Sequence, residues 1–204
     1  MPSKFLSRLQ KTKNPSNFIT VVSGLPRSGT SMMMQILQAG GMDILTDFVR
    51  GADDDNPKGY YEFERVKKLK EGDTQWLSEA QGKAVKIVSS LLEYLPGQYS
   101  YKIIFIQRDM NEILASQKQM LIRRGEPTDK ASDEIMAAIF QQHLSGVKTW
   151  LSDKPNVQVL YIQYTDLLQN PKANVDAVVR FLALPLKVQP MYDVPDSKLY
   201  RQRH

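Results

Sequence analysis

The sequence predicts a three-layer α/β/α fold with a central parallel sheet. Short apolar segments alternate along the chain with longer stretches of helical periodicity. Strands that alternate with helices favour parallel pairing, with helices covering both faces of the sheet. The chain has 204 residues, which suits one domain with a single substantial core.

Four strands and five helices follow from this pattern. Strands are predicted at residues 18–23, 84–88, 102–107 and 157–162. Helices are predicted at residues 29–39, 63–77, 111–124, 132–151 and 174–182. The segment after residue 185 carries Pro190 and Pro195 and is predicted to be irregular. The pattern leaves the order of the strands open.

Residues 21–34 read VVSGLPRSGTSMMM, a β-branched run followed by a Gly/Ser/Thr-rich turn and a helix pattern. Gly24 and Gly29 permit a tight turn and close approach of the backbone to a ligand. The N–H groups at the start of such a helix attract anions, and Thr30 and Ser31 add hydroxyl donors. The segment therefore predicts a phosphate-binding loop, with a purely structural turn as the alternative.

The nucleotide-kinase loop reads G-x-x-x-x-G-K-[ST], and its Lys contacts the β- and γ-phosphates. Gly24 and Gly29 have this spacing, but Thr30 stands where the Lys belongs. The cation is Arg27, inside the loop. This departure disfavours ordinary ATP chemistry, although a nucleotide or small-molecule kinase stays an alternative function.

A second anion site is predicted where the strand at 102–107 ends. Arg108 follows this strand, at the edge of the sheet where α/β proteins bind ligands. Ser116 lies eight residues further on, about two turns into the next predicted helix. An Arg and a Ser hydroxyl in this arrangement can bind a second phosphate together. An exposed Arg and an ordinary helix Ser are the alternative.

Together, PRSGTS at 26–31 and Arg108 with Ser116 resemble the motifs of the PAPS-dependent sulfotransferases, where PAPS is 3′-phosphoadenosine 5′-phosphosulfate. Further similar segments are NPKGYYE at 56–62, YTDLL at 164–168, Asn-Pro at 170–171 and RFL at 180–182. The resemblance implies a P-loop-like sulfotransferase fold. It also implies that Arg108 and Ser116 bind the 3′-phosphate of PAPS. The 5′-phosphosulfate is then expected on Pro26, Arg27, Ser28, Gly29, Thr30 and Ser31.

The resemblance also implies the reaction, in which a sulfuryl group passes from PAPS to a hydroxyl or amine and no metal is required. It further implies which residues catalyse this reaction. Arg27 occupies a loop position where the family has Lys or Arg, and Lys86 resembles the strand-end Lys that stabilises the leaving group. The cytosolic animal enzymes have a catalytic His two residues beyond that Lys, but here Val88 stands there. Glu62 is the candidate general base, with a helix-start carboxylate as the alternative. Arg201 is a further candidate for the 3′-phosphate, with a frayed tail as the alternative.

Composition limits the function classes. The net charge of +5 is too small to indicate nucleic-acid binding, and no apolar run approaches the roughly 20 residues that span a bilayer. The chain has no cysteine, which excludes thiol catalysis. We expect a cytoplasmic protein without stable membrane insertion.

We also expect one sulfotransferase domain over residues 1–204, with a basic arm at 1–15 and an irregular tail at 186–204. The expected acceptor is a small molecule, a carbohydrate or a lipid. The oligomeric state stays open. A non-catalytic nucleotide-binding protein on the same fold is the remaining alternative.

Overall fold

The centre of the fold is a sheet of four parallel strands, which lie side by side in the order Ala84–Lys86, Phe18–Gly24, Ser100–Gln107 and Val157–Gln163. A computed structural model describes residues 17–47, 49, 51, 53, 59–128 and 131–195. The predicted parallel α/β architecture is confirmed. The strands are β1 (Phe18–Gly24), β2 (Ala84–Lys86), β3 (Ser100–Gln107) and β4 (Val157–Gln163).

The strand register brings the predicted site segments to one edge of the sheet. Val22 of β1 lies beside Lys86 of β2 on one side and beside Ile104 of β3 on the other. Gly24, the last residue of β1, pairs with Ile106. The carboxyl ends of all three strands therefore meet, and the segments that follow them share one edge, where parallel α/β sheets bind ligands.

Helices cover both faces of this sheet. Alternate residues of each strand point to opposite faces. Val22 and Ile104 pack in one core with the helices at Thr30–Ala39, Pro171–Leu182 and Val188–Tyr192. Val21 and Ile103 pack in a second core with Trp76 and Leu151. The seven α-helices of the described residues are α1 (Thr30–Ala39), α2 (Leu77–Ala80), α3 (Met110–Arg123), α4 (Asp133–Ser152), α5 (Tyr164–Gln169), α6 (Pro171–Leu182) and α7 (Val188–Tyr192). Two 3₁₀ helices span Glu64–Glu71 and Ser89–Tyr94.

Some predicted elements were wrong. The helix expected at 63–77 is a 3₁₀ helix that ends at Gly72, whose φ of 87° is left-handed and stops the helix. The strand expected at 84–88 ends at Lys86. The sequence pattern also missed the 3₁₀ helix at Ser89–Tyr94 and helix α5, because neither is long enough to show clear periodicity.

The segment expected to be irregular contains α7. Pro190 lies in the first turn of this helix, where a missing N–H removes no intrahelical bond. Met191 is fully buried and anchors the turn in the core beside α1 and α6. The predicted basic arm at 1–15, residues 196–204 of the tail and Arg201 lie outside the described residues. Among the helices of the described part, none is long and apolar enough to cross a membrane.

Lys102 joins the sheet to the end of α6. Its Nζ donates hydrogen bonds to the backbone oxygens of Phe181 (2.8 Å) and Leu182 (3.1 Å), the last two residues of that helix. The same ammonium lies 4.6 Å from the ring centroid of Phe18. A cation at a helix C-terminus satisfies carbonyls that have no intrahelical donor and complements the helix dipole.

Lys102→Met is expected to lower the free energy of unfolding by about 2 kcal/mol, because hydrogen bonds from a charged donor are lost. Urea unfolding curves measure the change. Lys118→Met removes an exposed lysine of α3 and is the matched control, with an expected change within about 0.5 kcal/mol. Equal midpoints for both variants would contradict the role given to Lys102.

Candidate active site

The loop between β1 and α1 is built on two glycines. A Cβ at Gly24 would lie 2.5 Å from Ser28 Oγ and 2.6 Å from the backbone oxygen of Ile106. Gly29 has a φ of 104°, and a Cβ there would overlap the ring of Tyr164. A side chain at either position would clash with these neighbouring atoms. The sequence therefore needs glycine at both places for the loop to curl over the sheet edge.

Arg27 lies at the centre of this loop in a left-handed conformation, with a φ of 71°. Non-glycine residues seldom adopt this backbone region, so the surroundings hold it in place. Its side-chain Nε donates a hydrogen bond of 2.9 Å to Ser116 Oγ of α3. Its backbone oxygen accepts a bond of 3.0 Å from Nη1 of Arg108. One loop residue thus contacts both members of the second predicted anion motif.

Arg108 is held by two groups besides Arg27. Its Nε donates a 2.8 Å hydrogen bond to Glu112, and both side chains of this ion pair are 8% exposed. Its guanidinium carbon lies 4.4 Å from the ring centroid of Tyr164, which is a stacking contact. Burial raises the pKa of the Tyr164 phenol, which therefore stays neutral at physiological pH. These contacts fix the plane of the guanidinium before any ligand arrives.

Lys86 brings a third cation to the same edge. It ends β2, is 9% exposed, and its Nζ donates to the backbone oxygen of Tyr60. The same Nζ lies 3.5 Å from Ser31 Oγ, in the first turn of α1. The ammonium of Lys86 therefore lies beside residues 26–31, the predicted phosphate loop.

Glu62 lies next to Lys86 and does not start a helix. Its Oε1 is 3.8 Å from Lys86 Nζ, and its side chain is 22% exposed. The following 3₁₀ helix begins at Glu64, whose N–H donates a 2.6 Å bond to Asp47. Glu62 therefore lies two residues before this helix, and Asp47 accepts the hydrogen bond from its first N–H.

The other predicted site residues lie in the same loop. Pro26 is exposed, and Thr30 is the first residue of α1, where a backbone N–H has no carbonyl one turn earlier in the helix to pair with. Ser28 is 1% exposed, and its Oγ has no hydrogen-bond partner among the residues that the structure describes. Buried hydroxyls seldom lack a partner, so this atom fits a loop that completes its bonds with a ligand.

Sequence reasoning missed two residues that shape the site. Glu112 stands four positions after Arg108, a spacing that brings side chains together on one helical face. This spacing in the sequence could have indicated the Arg108–Glu112 ion pair. Tyr164 was noted only as part of a family-like segment. Its position against both Gly29 and Arg108 depends on β4 lying beside β3, which the sequence did not reveal.

Comparison with known proteins identifies the family. The family model described as "Sulfotransferase domain" matches residues 19–198. No curated protein matched the sequence. Two similar solved structures are sulfotransferases: mouse SULT7A1 complexed with PAP, and the sulfotransferase domain from the curacin biosynthetic pathway.

The similarity to these structures is one of fold. The mouse protein is 18% identical to this chain in sequence, and the two structures superpose with a TM-score of 0.54. The match covers 89% of this chain but only 63% of the mouse chain. The curacin-pathway domain has 15% identity, a TM-score of 0.50 and coverage of 88% of this chain and 78% of that one. The family match extends over most of the sequence and includes both predicted anion motifs. The chain belongs to the sulfotransferase family.

Proposed function

We propose that this protein transfers a sulfuryl group from PAPS to a hydroxyl or amine acceptor and releases adenosine 3′,5′-bisphosphate (PAP). The observation that carries the proposal is the contact of Arg27 with Ser116 and Arg108, which brings the two predicted anion motifs together. A donor with phosphates at both its 3′ and 5′ positions matches two adjacent anion sites. The kinase alternative is not favoured, since Thr30 replaces its Lys and the family match is to sulfotransferases.

The residues present fit such a donor. Gly24 and Gly29 let the loop pack tightly against Ile106 and Tyr164, and the buried Ser28 Oγ lacks a partner among the described residues. Arg108 and Ser116 would hold the 3′-phosphate, while the loop at 26–31 would hold the 5′-phosphosulfate. PAPS, when bound, supplies the sulfuryl group on its 5′-phosphate. PAP in the mouse SULT7A1 structure agrees with this choice of donor.

Arg27 and Lys86 would stabilise the transition state. By analogy with phosphoryl transfer, negative charge builds on the bridging oxygen as the bond from sulfur to the phosphate oxygen breaks. Two fixed cations beside that oxygen stabilise this charge more than they stabilise the ground state. Both side chains are already held by hydrogen bonds, so little reorganisation is needed when charge develops.

Glu62 is the proposed general base. The acceptor oxygen forms its bond to sulfur, the proton of the acceptor passes to Glu62, and the electron pair of the broken bond stays on the phosphate. The carboxylate lies 3.8 Å from Lys86 Nζ, so the proposed base lies next to the cation that would stabilise the leaving group. We further propose a cytoplasmic location and a single sulfotransferase domain for the chain.

PAP is expected to bind tightly without magnesium, and Arg108→Ala should weaken binding roughly 10- to 100-fold, because a charged hydrogen-bond donor is lost. Isothermal titration calorimetry measures both affinities. Arg124→Ala, an exposed arginine just after α3, is the matched control and should bind PAP like the wild type.

Removal of Arg108 leaves the buried Glu112 carboxylate without its partner, so the variant can lose stability. Ser116→Ala provides a second test that keeps this ion pair, and it should also weaken PAP binding. Stronger binding of magnesium-ATP than of PAP by the wild type would contradict the proposed donor.

Lys86→Ala and Arg27→Ala are each expected to slow sulfuryl transfer about a hundredfold, with donor affinity less affected, because each cation acts mainly on the developing charge. Transfer of labelled sulfate from PAPS to a set of acceptors gives the rates. Lys83→Ala, at the other end of β2, is the control and should keep wild-type turnover. Wild-type turnover in the Lys86 variant would remove its catalytic role, and no labelled product from any acceptor would favour a non-catalytic protein.

Glu62→Gln is expected to lower kcat by a factor of about 10²–10⁴, the usual contribution of a general base, while PAP affinity stays close to that of the wild type. Glu64→Gln is the matched control, since Glu64 pairs with Lys67 on the surface at 2.7 Å. A larger loss of kcat in the Glu64 variant than in the Glu62 variant would reverse the assignment.

A further inference from the structure

Helix α4 carries an exposed stripe that contains two large apolar side chains. Ile135 is 55% exposed and Ile139 is 51% exposed. The stripe continues through Gln142 and Gly146, and the spacings of four, three and four residues place all four positions within about 60° of the helix surface. The same spacing forms the contact line between paired helices in coiled coils. The stripe therefore has the pattern of a surface that packs against another helix.

A groove of about 490 Å³ runs beside this stripe, between α4 and the 3₁₀ helix at Ser89–Tyr94. A hydrogen bond of 2.9 Å between Ser89 Oγ and His143 Nε2 joins its two walls. Leu92, Val147 and Trp150 give the groove apolar surface, and Ile139, Gln142 and Gly146 of the stripe also line it. The stripe and the groove are thus one continuous surface.

The proposed active site does not account for this surface. The lining of the groove includes none of the residues proposed to bind or transfer the sulfuryl group, which are Arg27, Glu62, Lys86, Arg108 and Ser116. The groove therefore needs an occupant other than the donor.

Gly146 is not explained by the packing of the described residues. It lies inside α4, where glycine is about 1 kcal/mol less favourable than alanine, and its backbone is not left-handed. A Cβ added there would meet no atom of a neighbouring element within 4 Å. A missing side chain does allow a second backbone to approach closely. A helix packed over Gly146 would give this glycine a role.

The exposed isoleucines and the open position at Gly146 are complementary within the same helix. A two-fold axis near Gln142, perpendicular to α4, brings Ile139 of one copy over Gly146 of a second copy. The same register brings Ile135 over Trp150. Because of the symmetry, each copy inserts its isoleucines and receives those of the other, which is the self-complementarity that a two-fold interface requires.

The charges of α4 favour this antiparallel orientation. Asp133 and Glu134 lie in the first turn, whereas Lys148 lies near the end of the helix and Lys154 follows it. An antiparallel pair places the acidic start of each helix beside the basic end of the other and opposes the two helix dipoles. A parallel pair would bring like charges together. Gln142, near the axis, can bond to its own copy through its amide, and a polar residue within an apolar contact line fixes the register.

We infer that this protein forms a two-fold symmetric dimer through antiparallel contact of its α4 helices. The occupant of the groove is α4 of a second copy of this chain, with Ile135 and Ile139 of each copy seated against the groove of the other. The inference is independent of the proposed sulfotransferase function, since it uses no residue of the proposed active site.

Cysteine cross-linking tests the register, because the chain has no cysteine of its own. Ile139→Cys and Gly146→Cys are purified separately and mixed in equal amounts with copper phenanthroline as the oxidant. The mixture should give a disulfide-linked dimer on a non-reducing gel, because positions 139 and 146 face each other across the axis. Each variant alone should not, since the two copies of either position lie about 10 Å apart along the helix axis, beyond disulfide reach.

Analytical ultracentrifugation of the full chain measures the assembly. The wild type should sediment as a dimer at high micromolar concentration. Ile139→Glu should raise the dimer dissociation constant about tenfold or more, because it buries a charge in an apolar contact. Gln141→Glu adds the same charge to an exposed residue on the far side of α4, so it is the matched control and should dimerise like the wild type. Far-UV circular dichroism checks that both variants fold.

Three results would overturn the inference. The first is a wild type that stays monomeric at every concentration, and shielding of Ile139→Cys from a soluble maleimide in that monomer would show that another part of the chain covers the stripe. The second is a dimer that Ile139→Glu leaves intact, which would place the interface elsewhere. The third is cross-linking of Ile139→Cys with itself and not with Gly146→Cys, which would exclude the antiparallel register.

Discussion

The site depends on one contact, the hydrogen bond from Arg27 Nε to Ser116 Oγ. Arg27 makes this bond from a left-handed backbone, a conformation that costs free energy for a residue with a side chain. The bond from Arg108 to the Arg27 backbone oxygen fixes the same loop from the other side. Together they tie the β1–α1 loop to the β3–α3 segment, so two predicted anion motifs that are distant in sequence lie side by side.

Concentrating cations in a partly buried pocket is unfavourable unless nearby carboxylates compensate their charge. Glu112 pairs with Arg108, and Glu62 lies beside Lys86. These carboxylates also orient the cations, so the donors are fixed before a ligand binds.

The sequence was sufficient for the α/β architecture, because strong apolar periodicity revealed the four strands and the long helices. Motif spacing indicated Arg108 and Ser116, and the family resemblance added roles for Arg27 and Lys86; these roles stay proposals. Local sequence patterns were insufficient to predict the features that tertiary contacts determine. The strand order, the placement of Tyr164 against Gly29 and the pairing of Ser89 with His143 all depend on residues far apart in the chain.

A crystal structure of the protein with PAP tests the central claim most directly. The account predicts one nucleotide whose 3′-phosphate lies within hydrogen-bond distance of Arg108 and Ser116, and whose 5′-phosphate lies on the loop at 26–31 with Lys86 beside it. The account would be contradicted if the phosphates of the nucleotide contacted only one of the two motifs and lay beyond hydrogen-bond distance of the other.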